Sequence, residues 1–125
     1  MTARILVADD DPDMLDAVEA SLGRSGAQVF RAANGAEMVQ RVAAEGPFDL
    51  VITDISMPWM SGLQVARSAR GAGQNTPIIV MTALRDRQLA RFAADLRALG
   101  DDVVMLRKPF ELGDLEKAVG RFLPR

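Results

Sequence analysis

The chain of 125 residues contains no cysteine, no histidine and no tyrosine. Without cysteine it can form neither disulfides nor thiolate metal sites, and it has no cysteine nucleophile. Without histidine it cannot ligate zinc or haem through imidazole, build a serine–histidine catalytic pair, or carry a phosphoryl group on a histidine of its own. Any metal ion bound here must therefore be a hard cation held by oxygen ligands.

Long apolar runs are also missing. The N-terminal segment reaches an apolar stretch of only four residues, Ile5–Ala8, which is too short for a signal peptide or a membrane span. We therefore expect a cytoplasmic protein without a membrane partner, and the net charge of −2 gives no reason to expect direct nucleic-acid binding. The charge is uneven, because residues 1–62 carry 10 acidic and 4 basic side chains and residues 63–125 carry 7 and 11. This asymmetry predicts an acidic site and a separate basic face.

Short apolar runs alternate with helical patterns along the whole length. A chain of this size, with 49% hydrophobic residues, fits one domain over residues 1–125. Strands that are apolar on both faces belong in a parallel sheet covered by helices on each side. We predict strands at 5–8, 28–32, 49–53, 77–81 and 103–106. We predict helices at 12–24, 35–45, 62–70, 86–99 and 111–123. The alternation predicts an α/β fold, a three-layer, doubly wound five-stranded parallel sheet.

Local signals mark several helix boundaries. Asp11 followed by Pro12 offers an N-cap and then a proline at the first helical position, where the missing N–H costs nothing. Ser61 and Gln64 have the spacing of a capping box. Glycine lies just past four helical patterns, at positions 26, 46, 73 and 100, where helices commonly end.

Polar side chains follow the predicted strands. Ligands in a doubly wound sheet bind at the carboxyl ends of the strands. The first strand is followed by Asp9–Asp11, the third by Asp54, the fourth by Thr82 and the fifth by Lys108. Carboxylates brought so close together repel one another unless a cation neutralises them, and Mg²⁺ suits hard oxygen ligands of this kind. The alternative is that the acidic triplet only caps the first helix and faces solvent.

Together these residues resemble the receiver domain of two-component response regulators, the CheY-like family. The resemblance extends over essentially the whole chain and rests on four motifs in order. They are ILVADDD at 5–11, DISMPWMSG at 54–62, MTA at 81–83 and KPF at 108–110. The resemblance implies a flavodoxin-like fold with strand order 2-1-3-4-5.

The resemblance also implies roles for the strand-end residues. Asp54 is the implied phosphoacceptor, and Thr82 and Lys108 contact the phosphoryl oxygens. The implied Mg²⁺ ligands are Asp10, Asp54 and the backbone carbonyl of Ser56, with Asp9 acting through a bound water. Such a receiver catalyses only its own phosphorylation and dephosphorylation, and signals by a change of shape at its fourth helix, fifth strand and fifth helix. Implied partners are a sensor histidine kinase or histidine phosphotransfer protein, and a downstream protein or a missing output domain.

The sequence departs from the family pattern at Met105, where the usual residue is a switch aromatic. In the family, the threonine hydroxyl is coupled to rotation of that aromatic ring. Methionine is flexible and apolar and has no ring, so this part of the switch is missing. The Lys108–Pro109 bond is expected to be cis, as the resemblance implies. Arg87 and Arg91 lie at i and i+4 of a predicted helix, and the pair suggests a docking site for an acidic partner. The simpler interpretation is that they belong to a charged face exposed to solvent.

Other functions remain open on the sequence alone. One is a phosphorylation-independent pseudo-receiver that works as an interaction module, which Met105 favours. A second is a haloacid-dehalogenase-type phosphatase using Asp9 as nucleophile with Asp11, although 125 residues leave little room for its cap. A third, a flavodoxin-like nucleotide-binding protein, lacks a glycine-rich phosphate loop after any strand.

Overall fold

The computed structural model of the chain describes residues 2–55, 76–100 and 102–123. Several predicted features lie outside the described residues. They are the helix over 62–70, the capping box at 61–64, Gly73 and the backbone carbonyl of Ser56.

The described strands are β1 (Arg4–Ala8), β2 (Gln28–Ala32), β3 (Leu50–Asp54), β4 (Ile78–Thr82) and β5 (Val103–Arg107). They pair in parallel as one sheet in the order β2-β1-β3-β4-β5, which confirms the predicted topology. Every strand lies within one residue of its predicted bounds. The central strands β3 and β4 are buried at all five positions, because helices cover both faces of the sheet.

The described helices are α1 (Pro12–Arg24), α2 (Gly35–Glu45), α3 (Asp86–Leu89), α4 (Ala93–Ala98) and α5 (Leu112–Phe122), with a 3₁₀ turn at Ala90–Phe92. The bounds of α1 and α2 match the prediction. The single helix predicted over 86–99 is wrong, because the chain there forms α3, the 3₁₀ turn and α4. The backbone of Phe92, at φ −103° and ψ 5°, leaves helical geometry and interrupts the hydrogen-bond ladder.

None of the described helices is both long enough and apolar enough to cross a membrane.

The apolar core is divided between the two faces of the sheet. On one face α1 and α5 pack against β1, β3 and β4, with Leu15, Val18 and Leu115 at the centre. On the other face α2 and the segment from Leu84 to Leu99 cover the same strands. The described part of the chain therefore forms the predicted three layers.

Local contacts explain where α1 begins and where α2 ends. The side chain of Asp11 accepts a hydrogen bond of 3.0 Å from the Asp13 N–H, and Pro12 is the first helical residue, as predicted. At the end of α2, Gly46 has an ordinary φ of −65°. A Cβ atom on Gly46 would lie 2.6 Å from the backbone oxygen of Val42, so the glycine avoids a collision rather than supplying a left-handed turn.

Replacing Gly46 with alanine should lower the free energy of unfolding by about 1–3 kcal/mol, because the new methyl group meets a backbone atom. Gly120→Ala is the matched control. Gly120 lies inside α5 with open space around its Cα, so alanine should raise the free energy of unfolding by about 0.5–1 kcal/mol. Urea unfolding measures both. A Gly46→Ala variant as stable as the parent would show that the end of α2 adjusts without cost.

Candidate functional site

An ion-pair cluster lies at the carboxyl edge of the sheet. The Lys108 Nζ atom is 2.7 Å from Asp9 Oδ2 and 3.3 Å from Asp54 Oδ2. Asp9 is fully buried, Asp54 is 8% exposed and the Lys108 side chain is 17% exposed. The cluster is therefore shielded from water but still reachable from outside.

Strand pairing brings these three residues together from distant parts of the sequence. β1 and β3 are neighbours, and the pairing of Ala8 with Thr53 places Asp9 next to Asp54 at the strand ends. Lys108 follows β5, which is separated from β3 by β4. Its backbone N–H donates to the Thr82 carbonyl of β4 at 2.7 Å, and its long side chain then reaches past the end of β4.

The buried carboxylate of Asp9 has a donor for each oxygen. Oδ2 accepts from Lys108, and Oδ1 accepts from the backbone N–H of Asp11 at 3.0 Å. A buried charge is tolerated when it is paired and hydrogen-bonded in this way. The same Asp11 N–H lies at the start of α1, so this hydrogen bond joins the end of β1 to the first helix.

The charge of Lys108 follows from its surroundings. Burial favours the neutral amine and lowers the pKa of Lys108. The hydrogen bond to Asp9 and the negative charges of Asp54 and Asp9 outweigh burial and raise this pKa above the ordinary 10.5. The side chain is therefore a charged ammonium group at neutral pH.

Three carboxylates at this edge could hold a cation. Asp9, Asp10 and Asp54 each offer an oxygen, and these oxygens lie within 4.8 Å of one another. Asp10 is exposed, so the group opens to solvent on one side. A few protein carboxylates beside open solvent match the preference of Mg²⁺, which keeps several of its waters. The donor set fits a hard divalent cation.

Thr82 lies at the end of β4, between the strand ends that carry Asp54 and Lys108. It is fully buried, and its Oγ1 accepts a hydrogen bond of 2.9 Å from the Leu84 N–H. This bond links Thr82 to the loop after β4. Because the hydroxyl oxygen is the acceptor in it, the O–H group can still donate a hydrogen bond.

The structure thus brings Asp9, Asp54 and Lys108 into contact and places Asp10 and Thr82 at the same edge. The Lys108–Pro109 bond is cis, as predicted. Sequence reasoning missed Thr53, whose hydroxyl donates to the backbone carbonyl of Asp54 at 3.0 Å. A polar residue within an otherwise apolar strand was the available signal.

The basic segment after β4 lies on the surface. Its exposed arginines are Arg85, Arg87, Arg91 and Arg97. A salt bridge of 2.5 Å joins Arg107 at the end of β5 to Asp86 of α3. Met105 is half-buried on β5.

Lys108→Met should destabilise the protein by about 3 kcal/mol at neutral pH in a chelating buffer, because it leaves the buried Asp9 carboxylate without its cation. Adding Asp9→Asn to this variant should recover most of the loss, since the fully buried side chain at position 9 then carries no charge. Lys117→Met, at the only other lysine and on the exposed side of α5, should change stability by less than about 0.5 kcal/mol. Equal losses for the two lysine variants in urea unfolding would contradict the assigned role of Lys108.

Comparison with known proteins identifies the class. Residues 5–120 match the family model for the response regulator receiver domain. The chain belongs to the response regulator receiver family. This membership sets aside the phosphatase and nucleotide-binding alternatives, and it leaves the pseudo-receiver alternative to experiment.

Particular relatives agree with the family match. The chain is 41% identical over 115 residues to response regulator MprA of Mycobacterium tuberculosis, covering 92% of this chain and 48% of that protein. It is 30% identical over 124 residues to sporulation initiation phosphotransferase F of Bacillus subtilis, covering 99% and 96%. The solved structure of chemotaxis response regulator CheY4 of Vibrio cholerae aligns with a TM-score of 0.83 at 30% identity, covering 98% and 100%. The chain spans about half the length of the MprA proteins it matches.

Proposed function

We propose that the chain accepts a phosphoryl group on Asp54 from a phosphohistidine of another protein, with Mg²⁺ bound at the carboxyl edge of the sheet. The observation that carries the proposal is the ammonium of Lys108 held between the carboxylates of Asp9 and Asp54. A simple helix-capping role for the acidic triplet would not require a lysine from the other end of the chain.

The chemistry is a phosphoryl transfer. A carboxylate oxygen of Asp54 attacks phosphorus, the bond from phosphorus to the donor nitrogen breaks, and the donor histidine keeps that electron pair and takes up a proton. The product is an acyl phosphate on Asp54. Lys108 is positioned to stabilise the negative charge on the transferring oxygens, and Thr82 has a hydroxyl proton to donate to them.

The charge balance of the site supports the cofactor. Three carboxylates face one ammonium group, so the edge of the sheet keeps an excess of negative charge that would repel an incoming phosphoryl group. Asp10 and Asp54 would hold Mg²⁺ directly and Asp9 through a bound water, with the backbone carbonyl of Ser56 as a further ligand. When bound, Mg²⁺ supplies the positive charge that offsets the phosphoryl oxygens.

The donor and the output both involve other proteins or domains. The chain has no histidine, so the phosphohistidine donor would belong to a sensor histidine kinase or a histidine phosphotransfer protein. We assign the output to the face made by the fourth predicted helix (observed as α3, the 3₁₀ turn and α4), β5 and α5, because Lys108 directly follows β5. The change would pass to a downstream protein or to an output domain of a longer protein, and the chain would catalyse only its own phosphorylation and dephosphorylation.

One observation favours a second candidate, a phosphorylation-independent interaction module. Met105 stands on β5 in place of the usual switch aromatic, so a switch that depends on that ring is not available. A pseudo-receiver would keep the fold and the output face but would never carry phosphate. The two candidates differ in one measurable property, the covalent state of Asp54.

Intact-protein mass after incubation with acetyl phosphate and Mg²⁺ tests the proposal. Wild type should gain one phosphoryl group, and the gain should disappear in Asp54→Asn and in the presence of a chelator. Asp49→Asn is the matched control, since Asp49 is an exposed acid at the opposite edge of the sheet, where it accepts a hydrogen bond from the Arg4 N–H. This variant should be phosphorylated like wild type. A folded wild-type protein with no adduct would instead support the pseudo-receiver.

A further inference from the structure

A buried hydroxyl lies directly before the proposed phosphoacceptor. Thr53 is fully buried in β3, and its Oγ1 donates a hydrogen bond of 3.0 Å to the backbone carbonyl of Asp54. The same oxygen is 3.8 Å from the sulfur of Met38, a fully buried residue of α2. Neither contact belongs to the regular pairing of the sheet.

This hydrogen bond lies at the end of the pairing between β1 and β3. The pairing between β1 and β3 ends with Ala8 and Thr53. On the β4 side, the peptide group between Asp54 and Ile55 is held by the Ile55 N–H, which donates to the Met81 carbonyl at 3.0 Å. On the β1 side, beyond the last paired residues of the ladder, the Thr53 hydroxyl bonds the Asp54 carbonyl of the same peptide group.

This bond constrains the backbone that carries the nucleophile. Successive side chains on a strand point to opposite faces, so Thr53 faces α2 while Asp54 faces the ion-pair cluster. Holding the Asp54 carbonyl limits rotation of the Asp54 backbone and thereby fixes the direction of its side chain. Rates of group transfer depend steeply on such alignment of the attacking atom.

We propose that Thr53 is a positioning residue, whose hydroxyl aligns Asp54 for phosphoryl transfer by holding the Asp54 backbone carbonyl. The inference rests on the proposed function of Asp54. The Thr53 hydroxyl contacts the Asp54 carbonyl and the Met38 sulfur, so it would act through the peptide group it bonds.

Three variants distinguish an effect of Thr53 on the alignment of Asp54 from an effect on the stability of the fold. Thr53→Val removes the hydroxyl and nearly keeps the shape, whereas Thr53→Ser keeps the hydroxyl and loses the methyl group. Thr76→Val is the matched control, because Thr76 is a buried threonine whose hydroxyl donates to the Phe48 carbonyl at 3.4 Å, at the opposite edge of the sheet. Phosphorylation by acetyl phosphate with Mg²⁺ is followed by mass at several donor concentrations, and urea unfolding gives the stability of each variant.

Thr53→Val should lower the maximal rate of phosphorylation about fivefold, the size expected for one hydrogen bond, and leave the half-saturating acetyl phosphate concentration unchanged. Thr53→Ser should keep a rate near that of wild type. Thr76→Val should lose stability without losing rate. If Thr53→Val does not fold, Thr53→Ala removes the same hydroxyl and is measured in its place with the same expectation.

A wild-type rate in the variant that lacks the hydroxyl would overturn the inference, and so would a serine variant as slow as the valine variant. Both results would leave the proposed function intact, since Asp54 would still be phosphorylated. Absence of any adduct on wild type would instead refute the proposed function and the inference together.

Discussion

The contact of one ammonium group with two carboxylates is the interaction on which the site depends. Asp9 is fully buried, and its charge is tolerable because Lys108 and the Asp11 N–H occupy its two oxygens. Lys108 reaches Asp54 as well, and it does so across the end of β4. The site depends on the order of the strands, since this order places the two acids side by side at the ends of β1 and β3 and the base two strands further, at the end of β5.

The site contains one stabilising ion pair, between Lys108 and Asp9, and an excess of negative charge on the neighbouring carboxylates. Lys108 neutralises one carboxylate of Asp9, Asp10 and Asp54, and the excess negative charge favours a cation. In the proposed function, a phosphoryl group on Asp54 brings new negative charge to the same ammonium, which must then divide its hydrogen bonds differently between Asp9 and Asp54. Because Lys108 directly follows β5, this redistribution gives phosphorylation a short physical route to the proposed output face.

Much of this arrangement follows from the sequence. Parallel strands end at one edge, so the apolar runs before Asp54 and Lys108 were enough to predict that these side chains meet. The break at Phe92 was not predictable, because the inward-facing residues of this segment keep a spacing compatible with a continuous helix. The bond from Thr53 was also beyond reach, since the acceptor of a buried hydroxyl depends on where the neighbouring strand stops pairing.

The contact between Lys108 and the two carboxylates is tested most directly by measuring the pKa of Lys108. The chain has two lysines, so NMR of labelled lysine amino groups gives few signals, and Lys108→Arg identifies the one in question. In metal-free buffer the pKa of Lys108 should lie above the ordinary value of 10.5 and should fall when Asp9 is replaced by asparagine. A Lys108 pKa at or below 10.5, unchanged by Asp9→Asn, would mean that the ammonium does not hold the two carboxylates together.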